Sequence, residues 1–369
     1  MNEPNTASEG KPFDLIVLSS ATSMSGGLRQ AIYLAKAFKE LGFAVSFFVP
    51  YPDTFTSIAP ELNWHRLPPS LPAAEKALRS AMPEGRKVIV HAFHNKGVKT
   101  VAWLGTWWRL MGLPVACAAH RGLTRRPGNP LPYLLPGIRA FMVNSRLCGQ
   151  ILPLLWRRER CHLVSNGVPQ ERVQPRIAAS DMRNSLHIPS ENLVLGCVCN
   201  NNPQKGAGEC ITAYAKARPR LSAPSTLVIV GVEPESWLPL CRELGVAEHV
   251  RLVPPVDHVA EYVQFFDLML CASYFAESQP NVLLEGMIMG RAIVSTRVGG
   301  IPGLLADEWL VPQQDPQALA DKIVAVVSDP SMLQRSAAEN ARLGQEYTME
   351  SKIAKSIEIY ASILEECRT

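Results

Sequence analysis

The chain has 369 residues, 47% of them apolar, with a mean hydropathy of +0.03 and a formal net charge of +4. This length exceeds what one hydrophobic core usually supports, and the composition excludes fibrous and largely disordered chains, so a soluble protein of two globular domains is expected. No apolar run reaches the ~18 residues of a membrane-spanning helix. The polar stretch Met1 to Lys11 has no apolar centre of the kind a secretory signal carries, which predicts a frayed tail on a cytoplasmic protein.

The charge is divided unevenly. Residues 1–166 hold 20 Lys and Arg against 9 Asp and Glu, and residues 167–369 hold 17 against 24. A sign change at mid-chain supports two domains with different partners, the basic one facing solvent, an anionic acceptor or an anionic membrane surface. The nine cysteines include no CxxC and no Cys/His cluster at zinc spacing, so they read as small buried hydrophobes in a reducing compartment and no structural metal is expected.

Strand and helix signals alternate from end to end, which predicts an α/β protein with parallel sheets. Strand candidates in the first half are Asp14 to Ser19, Val45 to Val49, Val88 to Ala92, Val115 to Ala119, Phe141 to Asn144 and His162 to Val164. The clearest helix among them is Leu28 to Leu41, whose Leu28, Ile32, Ala35 and Phe38 share one face. Gly and Pro in Asn166-Gly167-Val168-Pro169 break the pattern, which places a linker near residues 167–180. Leu193 to Cys199 opens a second unit, followed by strands Thr226 to Val230, Val250 to Val253, Leu268 to Cys271 and Ala292 to Ser295. Asp329 to Glu346 and Met349 to Glu366 read as two closing helices.

Several loops carry residues suited to chemistry. Ser25-Gly26-Gly27 lies between the first strand and first helix, where free N–H groups at a helix start attract a phosphate or a developing charge. His120 is expected just past the end of the strand Val115 to Ala119, where open α/β sheets place ligands, while His91 and His94 follow an earlier strand. Arg121, Arg125 and Arg126 read as a basic loop able to pair with phosphate or carboxylate, or as a solvated one. Trp103 and Trp107, with Trp108, Arg109 and Leu110, form an aromatic, partly basic helical stretch that suits either a core or shallow contact with a bilayer. In the second half, Glu277 follows the strand-like run Leu268 to Ser273, and Glu285 lies on the helix-like run after it. Two carboxylates at that spacing can bracket one ligand at a helix start, and a phosphorylated ligand suits the N–H groups there.

The stretch Glu277 to Pro302 closely resembles the Glu-x7-Glu signature of retaining nucleotide-sugar glycosyltransferases of the GT-B fold, family GT4. Gln279-Pro280-Asn281, Glu285-Gly286-Met287, Gly290 and Val298-Gly299-Gly300-Ile301-Pro302 carry the resemblance, Lys205-Gly206 matches the family's diphosphate loop, and Asn166-Gly167-Val168 resembles its hinge. The resemblance implies two Rossmann-like domains facing each other across a cleft. Residues 1–170 would bind the acceptor and residues 181–348 the nucleotide-sugar donor, with a C-terminal helix, 349–369, packing back on the first domain.

By the same resemblance Glu277, His120 and Lys205 are the catalytic candidates. Gly26, Gly27, Asn202, Lys205, Ser278, Gln279, Pro280, Asn281, Val282 and Glu285 would hold the donor, with Glu277 on the sugar, Lys205 on the diphosphate and Glu285 on the ribose. Arg121, Arg125, Arg126 and His94 are the acceptor-side candidates. The implied activity is metal-independent, retaining transfer from a nucleotide sugar, UDP-sugar first, to a glycan or lipid-linked acceptor in cell-envelope polysaccharide or lipopolysaccharide synthesis. No cofactor and no nucleic-acid partner is expected, and peripheral contact with the inner membrane surface would fit a cytoplasmic protein.

Two features depart from the family. The arginine expected five or six residues before Lys205 is replaced by Cys199 and Asn200, with an asparagine amide, Arg29 or Arg297 as possible substitutes, and Gly303 stands where glutamate is common. A UDP-sugar 2-epimerase-like enzyme and a nucleotide-sugar-binding protein without turnover remain the alternatives.

Overall fold

A computed structural model describes residues 10–275 and 277–367. The tail expected from Met1 lies outside the described residues up to position 9. Two compact units divide the chain, one made of residues 1–167 with 349–369 and the other of residues 168–348.

The first unit is built on seven parallel strands: β1 (Asp14–Ser19), β2 (Val45–Val49), β3 (Asn63–Arg66), β4 (Val88–Phe93), β5 (Val115–Arg121), β6 (Ile138–Val143) and β7 (Cys161–Leu163). They lie in the order β3-β2-β1-β4-β5-β6-β7. The strand order reverses between β1 and β4, the point where doubly wound sheets open a crevice at their carboxyl ends. Alternation along β1 sends Leu15 and Val17 into one core cluster and Ile16 and Leu18 into another, so both faces of the sheet are covered.

One of those faces is closed from the far end of the sequence. The helix Met349–Glu365 buries Ile353, Tyr360, Ile363 and Leu364 beside Leu28, Ala35 and Phe38 of the helix Gly26–Glu40. Tyr360 and the buried His91 share a 2.5 Å hydrogen bond through Oη and Nδ1. At the chain's exit from this unit, Gln30 donates through Nε2 to the Gly167 carbonyl (2.9 Å) and accepts at Oε1 from the Gly167 N–H (3.1 Å). Lys352 donates to the same Oε1 at 2.6 Å. One side-chain amide therefore holds both the outgoing and the returning chain.

The second unit has six parallel strands, β8 (Leu193–Val198), β9 (Ser225–Val230), β10 (Val250–Val253), β11 (Leu268–Cys271), β12 (Ala292–Thr296) and β13 (Leu310–Val311), in the order β10-β9-β8-β11-β12-β13. Its reversal point lies between β8 and β11. Near-continuous apolar runs such as Thr226 to Val230 and Leu268 to Cys271 are buried on both sides, as a helix-covered parallel sheet requires.

Two strands escape sequence reading. β3 is an edge strand of sequence NWHR whose residues are all partly or fully exposed, and β13 pairs only two residues with β12. An edge strand buries one side at most, so β3 shows no apolar signal, whereas in β13 the buried Leu310 and Val311 make a run too short to stand out as a strand. The strand expected over Phe141 to Asn144 begins earlier, at Ile138. Its second residue, Arg139, is buried and paired with Glu366 at 3.0 Å, which hides the strand start behind a charge. All nine cysteines are free.

Candidate functional site

In the first unit the loop after β1 runs straight into a helix. Ser25 caps the helix Gly26–Glu40, its Oγ accepting from the Leu28 N–H at 3.2 Å, so Gly26 and Gly27 are the first helical residues. Their N–H groups belong to the set that a helix leaves without intrahelical partners. His94, just past β4, closes this corner with Nδ1 3.0 Å from Ser19 Oγ and Nε2 3.3 Å from Ser25 Oγ. A side chain at Gly27 would press on that imidazole, with an ideal Cβ only 2.9 Å from Nε2. His94 thus sits with the glycine turn at the reversal point.

β5 runs two residues further than expected, which corrects two assignments. His120 lies within the strand, 6% exposed and stacked on Phe93 with ring centroids 4.8 Å apart. Burial, with Lys352, His91 and His94 adding to it, pushes its pKa well below the ordinary histidine value, so the imidazole is neutral near pH 7. Arg121 is also buried in β5 and is no part of a surface loop. Its guanidinium bonds Tyr133 Oη (2.8 Å), the Arg125 carbonyl (2.6 Å) and Asn95 Oδ1. A guanidinium so committed braces the loop from inside, which leaves Arg125 and Arg126 as the exposed cations there.

The second unit brings the remaining candidates to the carboxyl ends of β8 and β11. After β8, Asn202 caps a 3-10 turn, Pro203–Lys205, accepting from Gln204 N–H at 3.0 Å. The chain then passes Gly206 at φ +83°, where a Cβ would stand 2.2 Å from the Ala272 carbonyl oxygen. Only glycine combines that backbone conformation with so close an approach to the end of β11. The turn delivers Lys205 Nζ to within 2.5 Å of Glu277 Oε1, and Ser273 Oγ donates to the same oxygen at 3.0 Å.

The glycine pair after β12 holds Glu277 from behind. Gly300 N–H donates to the Glu277 carbonyl at 2.9 Å, and Gly299, at φ +57°, has no room for a Cβ because the Glu277 oxygen would lie 1.7 Å away. The two glycines thus fix the backbone of Glu277 from β12's side of the site. At Gly303 a side chain would meet open space, so sterics do not require glycine there.

Ser278 and Gln279 are buried, Pro280 precedes the helix Asn281–Ile288, and Asn281 and Val282 supply its first N–H groups. Glu285 lies one turn in, 2% exposed among Leu283, Leu284 and Met287. Arg172 reaches it from the 3-10 turn Gln170–Arg172, with Nε at 3.1 Å and Nη2 at 3.0 Å from Oε1. No sequence signal distinguished Arg172, an arginine in a polar stretch after Asn-Gly-Val-Pro.

Of the proposed substitutes for the missing arginine, Arg297 pairs with Asp307 at an exposed position, 2.7 Å away. Asn201 Oδ1 accepts from Glu233 N–H and Trp237 Nε1, and Asn200 Oδ1 accepts from Asn202 N–H. The cation placed with Glu277 is Lys205.

Two doubly wound parallel domains, each with polar side chains gathered at its reversal point, form the architecture of the GT-B glycosyltransferases. Residues 192–329 match the family model described as Glycosyl transferases group 1, and the second domain belongs to that family. The chain is similar to a D-inositol 3-phosphate glycosyltransferase of Streptomyces avermitilis, 25% identical over 223 residues that make up 56% of this chain and 48% of the relative. It is also similar to an N-acetyl-alpha-D-glucosaminyl L-malate synthase of Bacillus anthracis, 29% identical over 199 residues, 53% of this chain and 52% of that one. The chain thus spans about half the length of the curated relatives it matches. Among solved structures, Anabaena Alr3699/HepE in complex with UDP superposes with a TM-score of 0.81 at 18% identity, over 95% of this chain and 100% of that one.

Proposed function

We propose that this protein transfers a sugar from a nucleotide sugar, UDP-sugar first, to an anionic glycan or lipid-linked acceptor of the cell envelope, with retention of configuration and without a metal ion. The observation that carries this proposal is the convergence of Lys205, Glu277 and the start of the helix Asn281–Ile288 at the end of β11, with Glu285 behind them. An ammonium has three donors, so Lys205 can keep Glu277 and still reach an oxygen of the leaving diphosphate. The Asn281 and Val282 N–H groups add positive potential for the same phosphates. Glu277 is assigned to the hydroxyls of the donor sugar, where its charge favours an oxocarbenium-like transition state, and Glu285 to the ribose. In the first domain the neutral His120 can hydrogen-bond a sugar hydroxyl without adding charge.

UDP in the Anabaena structure supports a uridine nucleotide. The two relatives are named for an inositol 3-phosphate and a malate product, and both names suit an acceptor that exposed Arg125 and Arg126 would attract. Thermal-shift measurements with UDP-, GDP- and ADP-sugars test the donor site. A rise in Tm with one of them is expected, and no shift with any would overturn the assignment. Transfer abolished by a chelator and restored by Mg²⁺ would remove the metal-free part, and epimer interconversion without acceptor would replace transfer altogether.

Membrane contact belongs to the same proposal. No helix among the described residues is long and apolar enough to cross a membrane. The helix Asn95–Leu110 buries Trp108 but exposes Trp103 (45%), Trp107 (54%) and Leu110 (77%) beside Lys96, Lys99 and Arg109, with no acidic residue along it. Interfacial tryptophans with basic neighbours suit shallow docking on anionic headgroups. Trp103→Ser/Trp107→Ser protein should lose most co-sedimentation with phosphatidylglycerol vesicles while its Tm is unchanged; undiminished binding would refute docking through this helix.

A further inference from the structure

The pairing of Arg172 with Glu285 bears on how the nucleotide is recognised, because Glu285 is a buried carboxylate on a largely apolar helix. A carboxylate buried to this degree costs several kcal/mol unless it is paired and hydrogen-bonded. Arg172 supplies that compensation through two N–H groups, yet both land on one oxygen, Oε1. In a fork-to-fork pair the guanidinium engages both carboxylate oxygens. Here both N–H groups meet Oε1, which fixes the position of that oxygen at the end of the Glu285 side chain. The guanidinium is itself held, since Nη1 donates to the Asp257 carbonyl at 2.5 Å.

Arg172 also starts from a fixed base. It lies four residues beyond Val168, whose N–H donates to the Tyr347 carbonyl at 2.9 Å and which bridges to Thr348. A cation on a floppy tail would follow the carboxylate wherever it swung, but one anchored at both ends can hold it still. We propose that Arg172 is a positioning residue for nucleotide recognition, holding the Glu285 carboxylate in the one orientation that accepts hydrogen bonds from the ribose hydroxyls. The proposal rests on the assignment of Glu285 to the ribose made above. Arg172 itself touches no part of the donor in this scheme and acts only through Glu285. A purely structural ion pair would change stability while leaving the preference among nucleotides intact, and this separates the two roles.

Calorimetric titration of the full chain with UDP and with 2′-deoxy-UDP makes the distinction. Both ligands are measured on the same sample, so any inactive fraction cancels from the ratio of their affinities. Wild-type protein should prefer UDP by about tenfold or more, the usual size of one lost hydrogen bond to a charged group. Arg172→Gln should reduce that preference to about twofold or less, and Glu285→Gln should reduce the preference equally. Arg172→Lys should lose most of it too, because an ammonium is a point charge that cannot place two directed N–H groups on Oε1 while holding the Asp257 carbonyl. Full preference in Arg172→Gln, with the preference lost in Glu285→Gln, would overturn the role of Arg172 alone. No UDP binding by wild type, or full preference in Glu285→Gln, would overturn the ribose assignment and the proposal with it. If neither Arg172 variant gives a cooperative melt, the residue holds the fold together and the positioning role is likewise overturned.

Discussion

Glu277→Gln protein should lose ~10²–10³-fold in kcat, the scale expected for removing one preorganised electrostatic contact at a developing charge, with UDP affinity changed by no more than about threefold. The substitution keeps size and shape, and Ser273 Oγ, 3.0 Å from Oε1 in the wild type, can still donate to a side-chain oxygen there. What disappears is the negative charge 2.5 Å from Lys205. That charge matters little to a nucleotide bound by its phosphates and ribose, and it matters most when positive charge builds on the anomeric carbon. Glu285→Gln should behave in the opposite way, raising the Kd for UDP roughly 10–100-fold, the worth of one or two hydrogen bonds to a charged group, with a smaller effect on kcat at saturating donor. Two carboxylates at this spacing could also divide acid and base roles, but each is already tied to a cation in a different place, Lys205 for one and Arg172 for the other. A result in which Glu285→Gln abolishes turnover and Glu277→Gln abolishes binding would reverse the assignment.

The first domain should be acid-labile to an extent the second is not. Burial pushes the His91 pKa down to about 3, with the charge of Lys352 adding to the effect, and His120 is displaced in the same direction. In the unfolded chain both imidazoles return to an ordinary value near 6.5. Between those limits the unfolded state binds more protons than the folded one, so stability falls as pH drops through the window from 6.5 towards 3. Each histidine contributes a loss of about 1.4 kcal/mol per pH unit once pH is well below 6.5. Lys352 acts in a neighbouring window with the same sign. Its pKa is lowered to about 7 by burial, so between pH 7 and 10.5 the unfolded lysine holds a proton that the folded one has released, and stability rises with pH there. Hydrogen exchange followed peptide by peptide should therefore show β4, β5 and the helix Met349–Glu365 losing protection on acidification from pH 7 to 4.5, ahead of β8, β9 and β11. Equal loss across both domains, or none, would refute the effect, and His91→Phe should flatten the pH dependence.

Much of this was legible in the sequence because parallel strands covered on both faces announce themselves as apolar runs, and β1, β2, β10 and β11 have the limits that those runs suggested. The two glutamates were legible too, since the surrounding Pro280, Gly290, Gly299 and Gly300 mark a loop, a helix and a turn at fixed distances. The hidden part is whatever depends on partners far apart in the chain. Arg172 and Glu285 are 113 residues apart, Lys205 and Glu277 are 72 apart, and no periodicity connects them. Arg121 misleads for a related reason: it reads as a surface cation beside Arg125 and Arg126, yet Tyr133, Asn95 and a carbonyl make a place for it inside. His94 was visible as a histidine after a strand, but its partners are Ser19, the last residue of β1, and Ser25, in the loop after it.

Closing the first sheet with a helix drawn from Met349–Glu365 sets the order in which the protein can be finished on the ribosome. Residues 168–348 emerge as an unbroken segment and can pack at once, whereas residues up to Gly167 must wait with the apolar surface around Leu28, Ala35 and Phe38 uncovered. At the roughly 5–20 residues per second of chain synthesis the wait lasts about ten seconds or more. The domain begun first is the one completed last, and the amide of Gln30 finds its second tether, Lys352, only when that wait is over.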